Sequence, residues 1–173
     1  MDARKKEVLE ARLQQVYDLA DKYEATIGGC PQATMAALMS VLDLPKDLFR
    51  ALGPMQGGVG QYHGDGPCGA YTAGVCIMGY YRGRSWEEFF SGGNNAESVR
   101  LARKFDEKWR ETYKNISCRG LNLELFGRTF NNYENEEDYK EFIRMGGYVD
   151  KCNKICANSA KIILEILIGE EII

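Results

Sequence analysis

The run at residues 67–78 is Pro67-Cys68-Gly69-Ala70-Tyr71-Thr72-Ala73-Gly74-Val75-Cys76-Ile77-Met78, which is apolar and rich in small side chains. Proline is well suited to the start of a helix, because its fixed φ matches the helix and its missing N–H is not needed there. Glycine and alanine let neighbouring backbones approach closely. The run therefore predicts a central helix that begins at the Pro67-Cys68 pair and packs tightly against other helices.

The segment before this helix is predicted to be a loop, because glycine is too frequent in it for a regular element. Six glycines lie between residues 53 and 66: Gly53, Gly57, Gly58, Gly60, Gly64 and Gly66. The loop lacks the Gly-Lys-Ser/Thr ending of a phosphate-binding loop and follows no strand. We interpret it as a close backbone approach to a cysteine or a ligand, with Gly58, Gly60 and the single histidine, His63, as candidate contacts. A flexible connector is the alternative.

Apolar residues on both sides of the loop recur at steps of three and four, the spacing of amphipathic helices. The predicted helices cover residues 5–23 with Val16 and Ala20 on the apolar stripe, 30–42, 45–52, 96–113, 117–126 and 152–167. Another helix should follow the acidic run at 134–138, since acidic residues favour a helix N-terminus. No segment alternates with period two. The prediction is an all-α fold, a compact multi-helix bundle with the glycine-rich loop before its central helix.

Two sets of side chains are expected to be packed inside this bundle. In the helix after residue 95, the spacing predicts a buried stripe of Val99, Ala102, Phe105, Trp109 and Tyr113. The aromatic residues Trp86, Phe89 and Phe90 also have helical spacing, which favours ordinary packing over the lining of a pocket.

Length and charge restrict the class of protein. With 173 residues and 45% hydrophobic content, the chain can bury one substantial core, so we expect a single domain over residues 1–173. The 22 basic and 25 acidic side chains nearly balance at a net charge of −3. No broad basic surface is therefore expected, and nucleic acid is not a predicted partner.

No segment has the character of a membrane anchor or a secretory signal. The first residues alternate charged and apolar side chains, unlike the apolar core of a signal peptide. The most apolar segment, residues 162–168, contains Glu165 and is far shorter than the roughly 20 residues of a spanning helix. We therefore expect a cytoplasmic protein with no membrane partner.

The chain has six cysteines, which in a reducing compartment favour catalytic, redox-sensing or metal-binding roles over static disulfides. Four of them lie at or near predicted helix starts and are called below the helix-start cysteines: Cys30, Cys68, Cys118 and Cys152. Unpaired N–H groups and the positive end of the helix dipole favour a thiolate at such positions. These thiols are predicted to be more reactive than average, whereas core packing as a small hydrophobe is the alternative for any one of them.

A metal centre is a second interpretation of the same four cysteines. The chain contains no C-x-x-C pair and only one histidine, so thiolates would have to hold the metal, which suits zinc, Cu(I) or an iron–sulfur cluster. Cys152 and Cys156, four residues apart, could share a metal more easily than an unstrained disulfide.

This cysteine pattern resembles the C-GCAxxG-C-C family of redox-active proteins, over about residues 30–167. The resemblance rests on Cys30 after a glycine pair, the glycine loop, Cys68-Gly69-Ala70 opening a helix, Cys118 before Arg119, and Cys152 ahead of the terminal helix. The family pattern maps onto the helix-start cysteines, while Cys76 and Cys156 are additional. The glycine expected three residues after Ala70 is Ala73 here, with Gly74 one position on. The resemblance implies a redox role and gives neither a substrate nor a redox partner.

The leading expectation is a thiol redox protein in which Cys68 is the attacking thiolate and Cys30 resolves the mixed disulfide, because both stand beside a proline at a helix start. The metal or iron–sulfur protein is one alternative. Another is a partner-binding module with structural cysteines, for which a homodimer through the apolar C-terminus is an option. The residues concerned are Ile166, Leu167, Ile168, Ile172 and Ile173; packing within the monomer would account for them equally well.

Overall fold

The computed structural model describes residues 3–131 and 134–173, and over these residues it is an α-helical bundle without strands. Met1 and Asp2, where the polar N-terminal segment starts, lie outside the described residues. The helices are α1 (Ala3–Thr26), α2 (Cys30–Met39), α3 (Lys46–Ala51), α4 (Gly69–Arg82), α5 (Trp86–Phe90), α6 (Ala96–Arg110), α7 (Cys118–Phe126), α8 (Glu136–Arg144) and α9 (Cys152–Gly169). A 3-10 turn at Gly53–Met55 follows α3, and a π-helical turn at Gly147–Lys151 precedes α9. The predicted all-α multi-helix bundle is confirmed.

Helices α4 and α9 lie at the centre of the bundle. Helix α9 packs against α1, α2, α4 and α6, and α4 packs against α2, α6 and α9. The small residues of α4 permit this, because a Cβ atom on Gly74 would lie 2.3 Å from Cζ of Phe105 on α6. At the crossing with α9, the buried Ser159 Oγ donates a hydrogen bond of 2.8 Å to the Ala70 carbonyl. Gly74, which stands one position beyond the glycine of the family pattern, therefore leaves room for the Phe105 ring in the core.

The buried stripe of α6 differs from the predicted one at its start. Val99 is 49% exposed, and the stripe runs through Ser98, Leu101 and Phe105 to Trp109. The prediction for Val99 was wrong because Ser98 occupies the inward position, where its hydroxyl donates to Asn95 at the start of the helix. A serine in the first turn of a helix can be buried at little polar cost when its hydroxyl is bonded in this way.

The aromatic residues of α5 are also placed differently from the expectation of ordinary packing. Trp86 is 75% exposed and Phe90 68% exposed, and their rings contact each other at a centroid distance of 4.9 Å. Arg84 lies over the Phe89 ring. Helix α5 has only five residues, so it is too short to present a separate inward face, and helical spacing alone did not reveal this.

The glycine loop folds back on itself before α4. Gly58 has a φ of +77°, and a Cβ atom there would lie 2.7 Å from the Cα of Gly64. The segment after this contact runs beside the residues that precede α7. Pro67 and Ser117 form an isolated antiparallel bridge, and the Arg119 N–H donates to the Gly64 carbonyl at 2.7 Å. The glycines thus let two backbone segments lie side by side in the absence of a sheet.

The apolar C-terminal residues pack largely within the chain. Ile166 and Leu167 are buried, and Ile168 and Ile172 contact the core, whereas Ile173 is 42% exposed. The homodimer remains a prediction. None of the helices within residues 3–131 and 134–173 combines the length and the apolar character required to cross a bilayer.

Candidate functional site

The helix-start cysteines occupy the positions that the sequence predicts. Cys30, Cys118 and Cys152 are the first residues of α2, α7 and α9, and Cys68 is the N-terminal cap of α4. All four line a single cavity of about 300 Å³, called below the cysteine cavity. Four helices that are distant in sequence therefore direct their N-terminal ends toward one enclosed space.

The starts of α2 and α4 bring Cys30 and Cys68 together. A Cβ atom on Gly69 would lie 2.5 Å from the Cys30 Sγ and 2.4 Å from Cδ of Pro31, so only glycine admits this approach. Cys30 and Cys68 both line the cysteine cavity, and each thiol shifts the pKa of the other. Gly57 of the glycine loop lines the same cavity, and its backbone lowers the pKa of Cys30.

Backbone hydrogen bonds hold Cys118 beside Cys68. The Cys68 N–H donates to the Ile116 carbonyl at 2.7 Å, and the Cys118 N–H donates to the Gly66 carbonyl at 3.1 Å. Ser117 caps α7 by accepting a 3.0 Å hydrogen bond from the Gly120 N–H. Main-chain contacts therefore fix the spacing of these two cysteines.

The two additional cysteines do not line the cavity. Cys156 is 1% exposed and lies one turn into α9, where its thiol donates to the Cys30 carbonyl at 3.6 Å. Cys76 lies in the interior of α4 and is half-buried. Cys152 is thus the cysteine of α9 that lines the cavity, while Cys156 is hydrogen-bonded to the backbone at the start of α2.

The prediction that these helix starts favour thiolates is not met in the thiol form of the protein. The side-chain interaction with Cys68, burial and the neighbouring Cys68 charge raise the pKa of Cys30 well above its usual value. The interaction with Cys30 lowers the pKa of Cys68. Burial and the charges of the other cysteines raise that pKa by a larger amount, so the net shift is upward. Burial also raises the pKa of Cys118 to about 12 and that of Cys152 well above normal. Desolvation outweighs the helix dipole, because enclosed thiolates lose more hydration than N–H groups return.

Within the pair, the two thiols are unequal. The interaction between them raises the pKa of Cys30 and lowers that of Cys68. Cys68 is the more deeply buried of the two, but it caps α4, where the N-terminal N–H groups favour a thiolate. The geometry therefore makes Cys68 the first of the two to ionise.

Loop and aromatic residues form the remaining walls of the cavity. His63 lines it with Gly57 and Gly64, whereas Gly58 and Gly60 are not among the lining residues. On the opposite side Phe142 contacts Tyr148 at a ring-centroid distance of 5.0 Å and Phe130 at 5.5 Å. Arg119, paired with the exposed Asp65, is the lining residue with a permanent positive charge.

Glu24 of α1 is a lining residue that the sequence analysis missed. Its side chain is 4% exposed, and its buried Oε2 atom has no hydrogen-bond partner among the residues that the structure describes. Burial raises its pKa from 4.5 to about 7. A sequence signal was present, because Glu24 continues the fully buried positions Val16 and Ala20 at steps of four and so places a carboxyl on an apolar stripe.

The described residues do not fit a metal centre. Over residues 3–131 and 134–173, no group of three or more His, Cys, Asp or Glu side chains is arranged to hold a metal ion. A metal site requires that several sulfur atoms converge on one point, each at the roughly 2.3 Å of a zinc–sulfur bond. Lining the same cavity is a weaker condition. The helix-start cysteines meet the weaker condition only, so we derive no chemistry through a metal.

A family comparison covers most of the chain. Residues 29–166 match the family described as "Putative redox-active protein (C_GCAxxG_C_C)". No curated protein and no solved structure matches the chain. The matched range contains all four helix-start cysteines and excludes Glu24. The chain belongs to the C_GCAxxG_C_C family of redox-active proteins.

Proposed function

We propose that this protein is a cytoplasmic thiol–disulfide exchange enzyme in which Cys68 attacks and Cys30 resolves. The observation that carries the proposal is the close approach of Cys30 and Cys68 at the starts of α2 and α4, where a Cβ atom on Gly69 would lie 2.5 Å from the Cys30 Sγ and both cysteines line one cavity. Disulfide exchange requires an attacking thiolate and a second thiol within reach of the mixed disulfide. The first role is given to Cys68, whose pKa the Cys30 thiol lowers, and the second to Cys30, whose pKa is raised well above its usual value.

The size of the cavity indicates the class of substrate. A volume of about 300 Å³ lies at the lower end for small-molecule sites, and Cys68 is only 7% exposed. A disulfide within a folded protein cannot approach a sulfur at that depth without opening the bundle. We therefore propose a low-molecular-mass disulfide as the oxidised substrate.

The reaction balances in two steps. In the first, the Cys68 sulfur attacks one sulfur of the substrate disulfide, forms a mixed disulfide and releases one substrate thiol, which takes up the Cys68 proton. In the second, the Cys30 sulfur attacks the Cys68 sulfur, the Cys30–Cys68 disulfide forms and the second substrate thiol leaves with the Cys30 proton. Two electrons pass from the protein dithiol to the substrate.

Mass spectrometry of single-cysteine variants tests this proposal. Incubation with bis(2-hydroxyethyl) disulfide should leave Cys30→Ser with one stable adduct on Cys68, while the unaltered protein gives the Cys30–Cys68 disulfide. Cys68→Ser should form no adduct in the cavity, and Cys76→Ser should behave as the unaltered protein. Cys118→Ser and Cys152→Ser identify the resolving thiol if it is not Cys30. Exchange that persists at the same rate in Cys68→Ser would refute the proposal.

A further inference from the structure

The raised pKa values of the cavity thiols leave a chemical requirement in the second exchange step. Cys30 must lose a proton before its sulfur can attack, and burial favours its neutral thiol form. The departing substrate thiolate must gain one. A buried thiol benefits from a nearby group that transfers the proton between them, because bulk hydroxide reaches it slowly.

Glu24 is the carboxyl that lines the cavity without compensation for its burial. Its Oε2 atom has no hydrogen-bond partner, and among the described residues no salt bridge involves it. A buried carboxyl without a partner destabilises a folded protein. Such an unfavourable arrangement is typical of groups that are retained for function.

The groups that face Glu24 belong to several elements. Its charge raises the pKa of Cys30 on α2, Cys118 on α7, Cys152 and Cys156 on α9, and Tyr148 in the π-helical turn. His63 and Arg119 line the same cavity. The neighbours of Glu24 are thus mostly protonated thiols and a phenol, which are proton donors.

We propose that Glu24 is the proton acceptor of the resolving step, taking the Sγ proton of Cys30 and passing it to the departing substrate thiolate. This inference rests on the proposed exchange at Cys68 and Cys30. The proton moves directly or through one water molecule, for which a cavity of about 300 Å³ has ample room, since a water occupies about 30 Å³ in the liquid. The carboxylate becomes a carboxylic acid when Cys30 attacks and returns to a carboxylate when the substrate thiol leaves, so the step balances.

The acidity of Glu24 matches this role. A proton carrier works best when its pKa is near the working pH, and the pKa of Glu24 is raised to about 7 by burial. An exposed glutamate, whose pKa is near 4.5, would hold the proton too weakly to take it from a buried thiol. The position of Glu24 on the apolar stripe of α1 therefore places its carboxyl at the cysteine cavity and raises its affinity for a proton.

Rapid-mixing kinetics with bis(2-hydroxyethyl) disulfide separates the two exchange steps. In Glu24→Gln, formation of the mixed disulfide should stay within about two-fold of the unaltered rate, and resolution should slow by about 100-fold at pH 7, the low end of general acid–base effects. The resolution rate of the unaltered protein should rise with pH and level off above about pH 7, and this inflection should be lost in Glu24→Gln. Glu10→Gln, an exposed carboxyl on the same helix, is the matched control and should change neither step.

Two outcomes overturn the inference while leaving the exchange reaction intact. One is a resolution rate in Glu24→Gln equal to that of Glu10→Gln. The other needs no variant and compares two measurements on the unaltered protein. Infrared spectroscopy gives the pH at which the buried carboxyl ionises, and the inference fails if the resolution rate rises uniformly through pH 9 with no inflection at that pH. Failure of the proposed function is distinct from both, because Cys30→Ser would then accumulate no mixed disulfide.

Discussion

Gly69 lies directly against Cys30, so closely that a Cβ atom on Gly69 would be 2.5 Å from the Cys30 sulfur. Gly69→Ala should therefore push the starts of α2 and α4 apart and destabilise the fold by about 1–3 kcal/mol, as overpacking of a close contact does. Formation of the Cys30–Cys68 disulfide should slow in parallel. Chemical denaturation and the rate of disulfide formation measure the two effects.

Gly79 on the same helix provides the control for this substitution, because a Cβ atom there meets nothing within 4 Å. Gly79→Ala should leave disulfide formation unchanged and stabilise the helix by roughly 0.5–1 kcal/mol. If both variants behave alike, the close approach at Gly69 has no role in forming the pair.

The buried Glu24 gives the stability of the protein a specific dependence on pH. Its pKa is about 7 in the folded chain and 4.5 for an ordinary exposed glutamate, so between these values the folded state binds the proton more tightly than the unfolded state. The contribution of Glu24 to the free energy of unfolding should be greatest below about pH 4.5, fall as the pH rises to about 7 and stay constant above that. The loss over this range is about 3 kcal/mol, at 1.36 kcal/mol per unit of pKa difference.

Glu24→Gln isolates this contribution when its free energy of unfolding is subtracted from that of the unaltered protein at each pH. The variant should be more stable above pH 7 by up to about 3 kcal/mol, and the difference should shrink toward acid. A difference that does not vary between pH 4 and 8 would contradict an ionisable, uncompensated Glu24.

The cavity thiols should be largely protonated at neutral pH. Burial raises the pKa of Cys118 to about 12 and that of Cys152 well above its usual value, and the pKa of both Cys30 and Cys68 is also raised. Iodoacetamide should therefore label the folded protein slowly at pH 7 and faster as pH rises above 9, with Cys68 labelled before Cys30. Protein unfolded in urea is the reference, and an inflection below pH 8 at any of the four would contradict this.

Ser117 caps the helix that carries Cys118, and its loss should separate stability from exchange. Ser117→Ala removes the hydrogen bond from the Gly120 N–H and should cost about 1 kcal/mol of stability. The Cys30–Cys68 disulfide should still form at an unchanged rate, since backbone hydrogen bonds continue to hold the two segments together. Mass spectrometry of the oxidised protein checks the linkage.

Ser85, which caps α5 with the same kind of bond from Glu88, is the comparison for Ser117. Ser85→Ala should lower stability by a similar or smaller amount and leave the cysteines untouched. A selective loss of exchange in Ser117→Ala would point to Cys118, in place of Cys30, as the resolving thiol.

Local sequence patterns predicted the helix boundaries, because caps, prolines and apolar spacing act within a few residues. Cys30, Cys68, Cys118 and Cys152 begin helices as expected. The spacing along the chain could not predict that the four would share a cavity, since it contains no information on how helix ends meet. It also could not predict their acidity, because desolvation depends on the assembled walls.

The errors at Val99 and Trp86 and the omission of Glu24 have one physical origin. Spacing and polarity describe a residue by itself, whereas its burial is decided by what lies across from it. Val99 is exposed because Ser98 takes the inward position, and Trp86 because α5 is a single short turn. Glu24 is enclosed because it lies opposite the starts of other helices, although its place on the stripe of Val16 and Ala20 could have been noticed.

The origin of the cavity in four separate helices has a consequence for biosynthesis. The fourth cysteine of the site, Cys152, begins the last helix of the described chain, and α9 also supplies much of the core. During translation the other three thiols emerge from the ribosome before the wall that encloses them exists. Their ionisation is then governed by water and not by burial, so the nascent chain passes through a stage in which its cysteines are open to any oxidant, and completion of the final helix ends that exposure.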